Sequence, residues 1–150
     1  MNVRAATLND APEIARLCDE LGYSVSVDNV HEQLRTIADL PTDGIAVAVS
    51  EDGAVIGWIQ THASSVLESG FRAEIVGLIV SGAVRRQGIG RRLVAWAEEW
   101  GRAIGAPRIV VRSNVVRTES HAFYPALGYV ETKTQRVYRK ALEKRVSDKV

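Results

Sequence analysis

The most constraining feature of the chain is an apolar segment that runs through a glycine- and arginine-rich loop into an amphipathic helix. The segment from Ala73 to Val80 is almost continuously hydrophobic, which is typical of a strand covered on both faces. The loop reads Arg85-Arg86-Gln87-Gly88-Ile89-Gly90-Arg91-Arg92. From Ile89 to Ile104, apolar residues recur every three or four positions, which predicts a helix. This order indicates a fold in which helices pack on a sheet.

The loop has the composition of an anion-binding site. Gly88 and Gly90 let the backbone approach a ligand, and the N–H groups that begin a helix lack partners inside it. Four arginines surround them, so the loop predicts a pyrophosphate site. A Walker loop is excluded because Arg91-Arg92 replace its Lys-Ser/Thr, and a dinucleotide fingerprint because Leu93 replaces its third glycine. The alternative is a tight strand-to-helix turn with solvated arginines.

The rest of the chain predicts alternating strands and helices with no linker or repeat. Asp10 and Glu13 form a capping-box pattern for a first helix that stops at Gly22, and Ser26 begins a second helix. Trp96 and Trp100 are predicted as core anchors of the helix after the loop. The remaining predictions are strands at Asn2–Ala6, Ile45–Val49, Ala54–Thr61, Arg108–Arg112 and Tyr129–Tyr138, a loop at Ala63–Gly70 and a short helix at Thr118–Leu127.

The glycine loop resembles the signature of the GNAT superfamily of acyl-CoA-dependent N-acyltransferases, Gln/Arg-x-x-Gly-x-Gly/Ala. Arg85, Gly88 and Gly90 match it. The stretch Ala73-Glu74-Ile75-Val76 is similar to the one that carries the catalytic glutamate in the family's histone-acetylating members. The proline usual between strand and loop is absent from Ser81-Gly82-Ala83-Val84.

A second family element, Phe-Tyr-x-x-Leu-Gly-Phe, lies in the C-terminal part of the sequence. Phe123-Tyr124 followed by Leu127-Gly128-Tyr129 resembles it, although Pro125 follows the tyrosine directly. The elements occur in the family's order, so the resemblance covers the outline of the whole chain.

The resemblance implies an α/β (α+β) fold: a mixed, mostly antiparallel central sheet of about six to seven strands with helices on both faces. We expect one domain over residues 1–150, with a charged tail at 139–150. The implied co-substrate is acetyl-CoA, without a metal. Its pantetheine arm would pair with a strand, and its diphosphate would rest on the loop. The cofactor-binding residues are then Leu78, Ile79, Val80, Arg85, Arg86, Gln87, Gly88, Ile89, Gly90 and Arg91.

The resemblance also implies two catalytic residues. Glu74 is the candidate general base, acting through water, because an amine must be neutral to attack a thioester; the alternative is a solvated or arginine-paired glutamate. On a regular strand, Glu74 would share its face with Val76, Leu78 and Val80. Tyr124 is the candidate acid that protonates the CoA thiolate; the alternative is an aromatic core residue.

Composition limits the other classes of function. No apolar run reaches the ~20 residues of a membrane span. The N-terminus lacks a signal-peptide pattern, which favours a cytoplasmic protein. Cys18, the single cysteine, lies on the apolar face of the first helix and is predicted as core rather than nucleophile. The three histidines, His31, His62 and His121, lack metal-ligand spacing.

Charge is divided unevenly between the two halves of the sequence. Residues 1–70 hold 3 basic and 11 acidic groups, whereas residues 71–150 hold 16 and 7. We interpret the basic half as the receiver of an anionic cofactor and the acidic half as favouring a cationic acceptor. Nucleic-acid binding is disfavoured because the arginines gather at one loop and no aromatic residues interleave with them.

The sequence therefore predicts an N-acetyltransferase that acts on a primary amine of a small molecule or peptide by direct transfer. The alternative is a non-catalytic module that senses acyl-CoA. A homodimer is left open, since members of the family often dimerise.

Overall fold

A computed structural model of the chain describes residues 1–84, 87–113 and 118–145, with the backbone alone for 118–120. The chain forms two compact units, Met1–Arg112 and Ser113–Val150. The expectation of one domain over residues 1–150 stays a prediction.

The first unit contains five strands and three α-helices. The elements are β1 (Asn2–Ala5), α1 (Ala11–Glu20), α2 (Val27–Ala38), β2 (Asp43–Val49), β3 (Val55–Val66), β4 (Gly70–Val80), α3 (Ile89–Ala103) and β5 (Ile109–Val111). The strands form one sheet in the order β1-β2-β3-β4-β5. Neighbouring strands are antiparallel from β1 to β4, and β5 runs parallel to β4. The β4–α3–β5 connection supplies the crossover that a parallel pair requires.

Helices cover both faces of the sheet, as predicted. Val47 and Val55 pack with α1 and α2 in the buried core on one face. On the other face, α3 lies so close to the sheet that a Cβ at Gly57 would stand 3.1 Å from Leu93. The core on the first face comprises Ala11, Ile14, Ala15, Leu17, Cys18, Val30, Leu34, Val47, Val55 and Ile79.

Two predictions about strands are wrong. The segment Ala63–Gly70, predicted as a loop, is the tip of a long hairpin, because β3 continues to Val66 and pairs there with Gly70. The strand predicted at Tyr129–Tyr138 is not formed: residues 129–145 have no regular secondary structure. A strand is stable only beside a partner, and no strand of the described residues pairs with this segment. The described sheet accordingly has five strands rather than six or seven.

Trp96 and Trp100 are half-buried on α3. The indole of Trp100 lies over Gly44, where a Cβ would stand 2.7 Å from its Nε1 atom. The two rings also line a pocket of about 320 Å³ with Leu34 and Ile37 of α2. They are therefore packing residues at the edge of the core rather than fully enclosed anchors.

The first helix is capped differently from the prediction. The carboxylate of Asp10 points back toward β1, where it accepts from the Thr7 main-chain N–H at 2.7 Å and pairs with Arg4 at 2.8 Å. A capping box of Thr7 and Asp10 thus closes the short 3₁₀ turn before α1. Ser26 caps α2 as predicted, because its hydroxyl accepts from the Asn29 N–H.

Replacing Asp10 with asparagine should destabilise the protein by about 2 kcal/mol at pH 7, since hydrogen bonds to a buried charge are lost. The hydrogen bond from Arg4 is the main cause that lowers the pKa of Asp10. The stabilisation is therefore complete above the unfolded pKa of about 3.9 and is lost as the pH falls through the lower folded pKa. Urea unfolding of both proteins from pH 7 to pH 2.5 measures this. A stability gap that persists below both pKa values would contradict it.

Candidate active site

The pairing of β5 with β4 is short, because β5 has only three residues, Ile109–Val111. β5 pairs with Ala73, Glu74 and Ile75 only, whereas β4 continues to Val80. Over residues 76–80, β4 is paired on one side by β3, and no described strand pairs with its other side. Leu78, Ile79 and Val80, the predicted cofactor-binding residues, all lie on this free edge. A free strand edge presents N–H and C=O groups to an extended ligand, as it would to another strand.

A β-bulge interrupts β4 just beyond its pairing with β5. Gln60 of β3 lies opposite Gly77 and Thr61 lies opposite Ile75, so Val76 has no residue opposite it. The extra residue reverses the alternation of side chains along the strand. Glu74 therefore shares its face with Gly77 and Ile79, and the prediction that it shares a face with Leu78 and Val80 is wrong.

Glu74 lies on the sheet face that carries α1 and α2, and its side chain is only 12% exposed. Its carboxylate accepts a hydrogen bond from Arg112 and lies 3.7 Å from the Arg72 guanidinium. The Nε of Arg72 is buried without a hydrogen-bond partner among the described residues. This is the arginine-paired arrangement that the sequence left open, and two guanidinium groups against one carboxylate give the group a net charge of +1.

The glycine loop leads into α3 through a left-handed residue. Gly88 is the N-cap of α3 with φ of 75°, a conformation that favours glycine, and an added Cβ there would meet open space. Its carbonyl accepts from the Arg92 N–H, the first bond of the helix. Gln87 and Arg91 are exposed, and Gly90 is half-buried. The N-terminal N–H groups of α3 carry the positive end of the helix dipole.

Two of the predicted loop residues, Arg85 and Arg86, lie outside the described residues. Ile89 is 3% exposed, so its side chain belongs to the core and only its main chain is available to a ligand. The side chain of Arg92 donates to the carbonyl of Met1 at 3.0 Å, which ties α3 to the N-terminus.

Glu20 is a polar residue of this region that the sequence analysis missed. Its Oε1 accepts from the Ser81 hydroxyl at 3.0 Å and from the Gly82 main-chain N–H at 2.7 Å. These contacts join the end of α1 to the 3₁₀ turn Gly82–Val84, which begins the loop. The partners are 61 and 62 residues apart, so no local pattern indicates them.

Tyr124 belongs to the second unit, in α4 (Thr118–Ala126). Its ring makes edge-to-face contacts with Phe123 and Tyr129, at centroid distances of 5.0 and 5.6 Å. Pro125 is followed by a single helical residue, and the Tyr124 carbonyl accepts from the Tyr129 N–H just beyond the helix. The proline therefore stands at the end of α4, where it has no long helix to bend. The catalytic role of Tyr124 stays a prediction.

Cys18 and His62, which belong to the first unit, have structural roles. Cys18 is 7% exposed, which confirms the prediction that it is a core residue, and burial raises the pKa of its thiol. His62 pairs with Asp43 through Nδ1 at 2.9 Å. The described residues contain no cluster of side chains that could hold a metal ion, and none of their helices is long and apolar enough to cross a membrane.

The acetyltransferase (GNAT) family model matches residues 11–129, and the chain belongs to this family. It is 37% identical to the aminoalkylphosphonate N-acetyltransferase of Salmonella typhimurium over 136 residues, which covers 87% of this chain and 85% of that protein.

Aminoglycoside acetyltransferases are also similar. The aminoglycoside N(6')-acetyltransferase type 1 of Stenotrophomonas maltophilia is 29% identical over 146 residues, covering 94% of each chain. The solved structure of the aminoglycoside N-acetyltransferase AAC(6')-Iy in complex with CoA superposes with a TM-score of 0.83 at 20% identity, covering 93% of each chain. The fold is thus shared with a protein that binds CoA, and the chain is an acyltransferase.

Proposed function

We propose that this enzyme transfers an acetyl group from acetyl-CoA to the primary amine of a small molecule by direct attack. The observation that supports this most strongly is the free edge of β4, which leads to the left-handed Gly88 at the start of α3. The extended pantetheine arm of acetyl-CoA matches the edge of β4, and its diphosphate matches the start of α3. The described residues also supply no activated thiol, because Cys18 is buried.

The residues have distinct tasks in cofactor binding. Main-chain groups of Leu78, Ile79 and Val80 pair with the amide groups of the pantetheine arm. Main-chain N–H groups between residues 86 and 91 hold the diphosphate, aided by the helix dipole. Acetyl-CoA supplies the activated thioester, and a main-chain N–H near Val80 donates to its oxygen as negative charge develops. One such donor is typically worth ~3 kcal/mol of transition-state stabilisation.

Glu74 would act as the base through a water molecule. An alkyl amine whose conjugate acid has a pKa of about 10.4 is neutral in roughly one molecule of 2,500 at pH 7, so a base that removes the proton assists the attack. The two arginines hold the carboxylate in one orientation on the face that carries α1 and α2. Tyr124 would donate a proton to the departing CoA thiolate.

The acceptor site should accommodate both signs of charge. The carboxylate of Glu74 attracts an ammonium group, whereas Arg72 and Arg112 together leave a net positive charge beside it. An amine that also bears an anionic group satisfies both, and the relative named for aminoalkylphosphonates is consistent with such an acceptor. A polycation such as an aminoglycoside would meet the two guanidinium groups unfavourably.

The test is release of CoA thiol from acetyl-CoA in the presence of a panel of amines. The panel contains an aminoalkylphosphonate, the same alkyl amine without its phosphonate, a polyamine, an aminoglycoside and a lysine peptide. We expect the aminoalkylphosphonate to have the highest kcat/KM. Tight binding of acetyl-CoA in calorimetry without turnover of any amine would instead support the sensing module, and absence of binding would refute both.

Glu74→Gln should lower kcat by about 10²-fold at pH 7 while changing the KM for acetyl-CoA little. Glutamine cannot accept the proton of the amine, but its side chain has nearly the same shape as that of glutamate. Glu99→Gln, at an exposed position on α3, is the control for the loss of one carboxylate. A kcat for Glu74→Gln within twofold of the control from pH 6 to pH 9 would exclude Glu74 as the base.

A further inference from the structure

Glu20 of α1 makes hydrogen bonds to residues outside its own helix. It is the last residue of α1, where a negative charge is unfavourable to the helix dipole. Its carboxylate bonds instead to two groups at the end of β4: the buried Ser81 hydroxyl and the Gly82 N–H. Without Glu20, a buried hydroxyl and the first N–H of the Gly82–Val84 turn would lose their acceptor.

Arg16 connects Glu20 to the sheet. It lies one helical turn before Glu20, and its guanidinium is 3.5 Å from the second carboxylate oxygen of Glu20 and 3.0 Å from the carboxylate of Glu13. The same guanidinium donates to the carbonyl of Val55, at the start of β3, at 3.2 Å. Because β3 pairs with the end of β4, these contacts brace α1 against the sheet beside the end of β4.

We propose that Glu20 is a positioning residue for cofactor binding: it fixes Ser81 and Gly82, which directly follow the edge of β4 assigned to the pantetheine arm, and so sets the direction in which the chain leaves that edge toward the diphosphate site. The Gly82 N–H already donates to the Glu20 carboxylate. The main-chain donors to the diphosphate would therefore come from residues after the Gly82–Val84 turn. The proposal rests on the proposed function, and it assigns to the end of α1 a role in cofactor affinity rather than in chemistry.

Kinetics on three variants test the proposal. Glu20→Ala should raise the KM for acetyl-CoA about tenfold and leave kcat at saturation within twofold, since hydrogen bonds to a charged group are lost only from the loop. Glu20→Gln keeps an acceptor oxygen for both donors and should restore the KM to within about threefold. Asp19→Ala removes the same charge from the adjacent exposed position and should change neither constant.

Amide hydrogen exchange at Gly82, measured on the protein without ligand, separates this proposal from the proposed function. Exchange should be at least about tenfold faster in Glu20→Ala than in wild type, and close to wild type in Asp19→Ala. If exchange accelerates and the KM for acetyl-CoA stays unchanged, Glu20 has no positioning role for the cofactor. If exchange is unaffected, the clamp itself is refuted. Failure of the wild-type protein to bind acetyl-CoA would refute the proposed function, whatever the exchange rate.

Discussion

Tyr124→Phe is expected to lower kcat by about 10²–10⁴-fold, because a thiolate that leaves without a proton donor is a poorer leaving group. The substitution removes one hydroxyl and keeps the ring that packs against Phe123 and Tyr129. The fold of the second unit should therefore be preserved, and acetyl-CoA should bind with unchanged affinity. Initial rates at saturating amine and calorimetric titration with acetyl-CoA measure the two quantities.

Tyr129→Phe is the matched control for this experiment. It removes the same group from the aromatic partner of Tyr124, 5.6 Å away between ring centroids. We expect its kcat to stay within about twofold of wild type, because it keeps the proposed proton donor. Equal kcat values for the two variants would show that Tyr124 is an aromatic packing residue.

The parts of the fold that depend on local sequence could be predicted. The helix after the glycine loop is predicted because apolar residues recur at helical spacing from Ile89 to Ile104, and the structure places α3 at Ile89–Ala103. Ser26 as a cap and Cys18 as a core residue follow from equally local patterns. Each of these features is decided within a few residues of chain, where propensity and periodicity act.

The features that depend on pairing between distant segments were missed. The bulge at Val76 is a shift in the register between β3 and β4, and it determines which sheet face Glu74 occupies relative to the end of β4. The contacts of Glu20 link residues that are 61 and 62 positions apart. The strand expected at Tyr129–Tyr138 has a suitable composition and no paired neighbour. A sequence pattern indicates which residues can form a strand, whereas tertiary structure decides which partner is present.

The family resemblance indicates a candidate site that periodicity alone does not. It points to Leu78–Val80, which the structure places where β4 continues beyond its pairing with β5. It does not indicate that Arg72 and Arg112 flank Glu74. Arg72 lies two residues from Glu74 on the same face of β4, whereas Arg112 is brought there by the pairing of β5 with the start of β4. The acceptor specificity proposed above rests on that pairing.

Gly88→Ala is expected to weaken acetyl-CoA binding about 100-fold. Gly88 has φ of 75°, and an alanine there either keeps a left-handed backbone at a cost of about 1–2 kcal/mol or turns its N–H groups away from the ligand. The open space that its Cβ would enter is the space that we assign to the diphosphate. Loss of two charge-assisted bonds to main-chain donors accounts for a change of this size.

Gly105→Ala separates the loss of ligand contacts from backbone strain. Gly105 lies just beyond the opposite end of α3, about 25 Å from Gly88 at 1.5 Å per residue, and has a similar φ of 82° with open space around an added Cβ. The two variants should lose similar stability in urea unfolding, whereas only Gly88→Ala should lose affinity for acetyl-CoA in calorimetry. If both bind acetyl-CoA equally well, the diphosphate does not rest on the start of α3, and the assignment of this loop as the cofactor site fails.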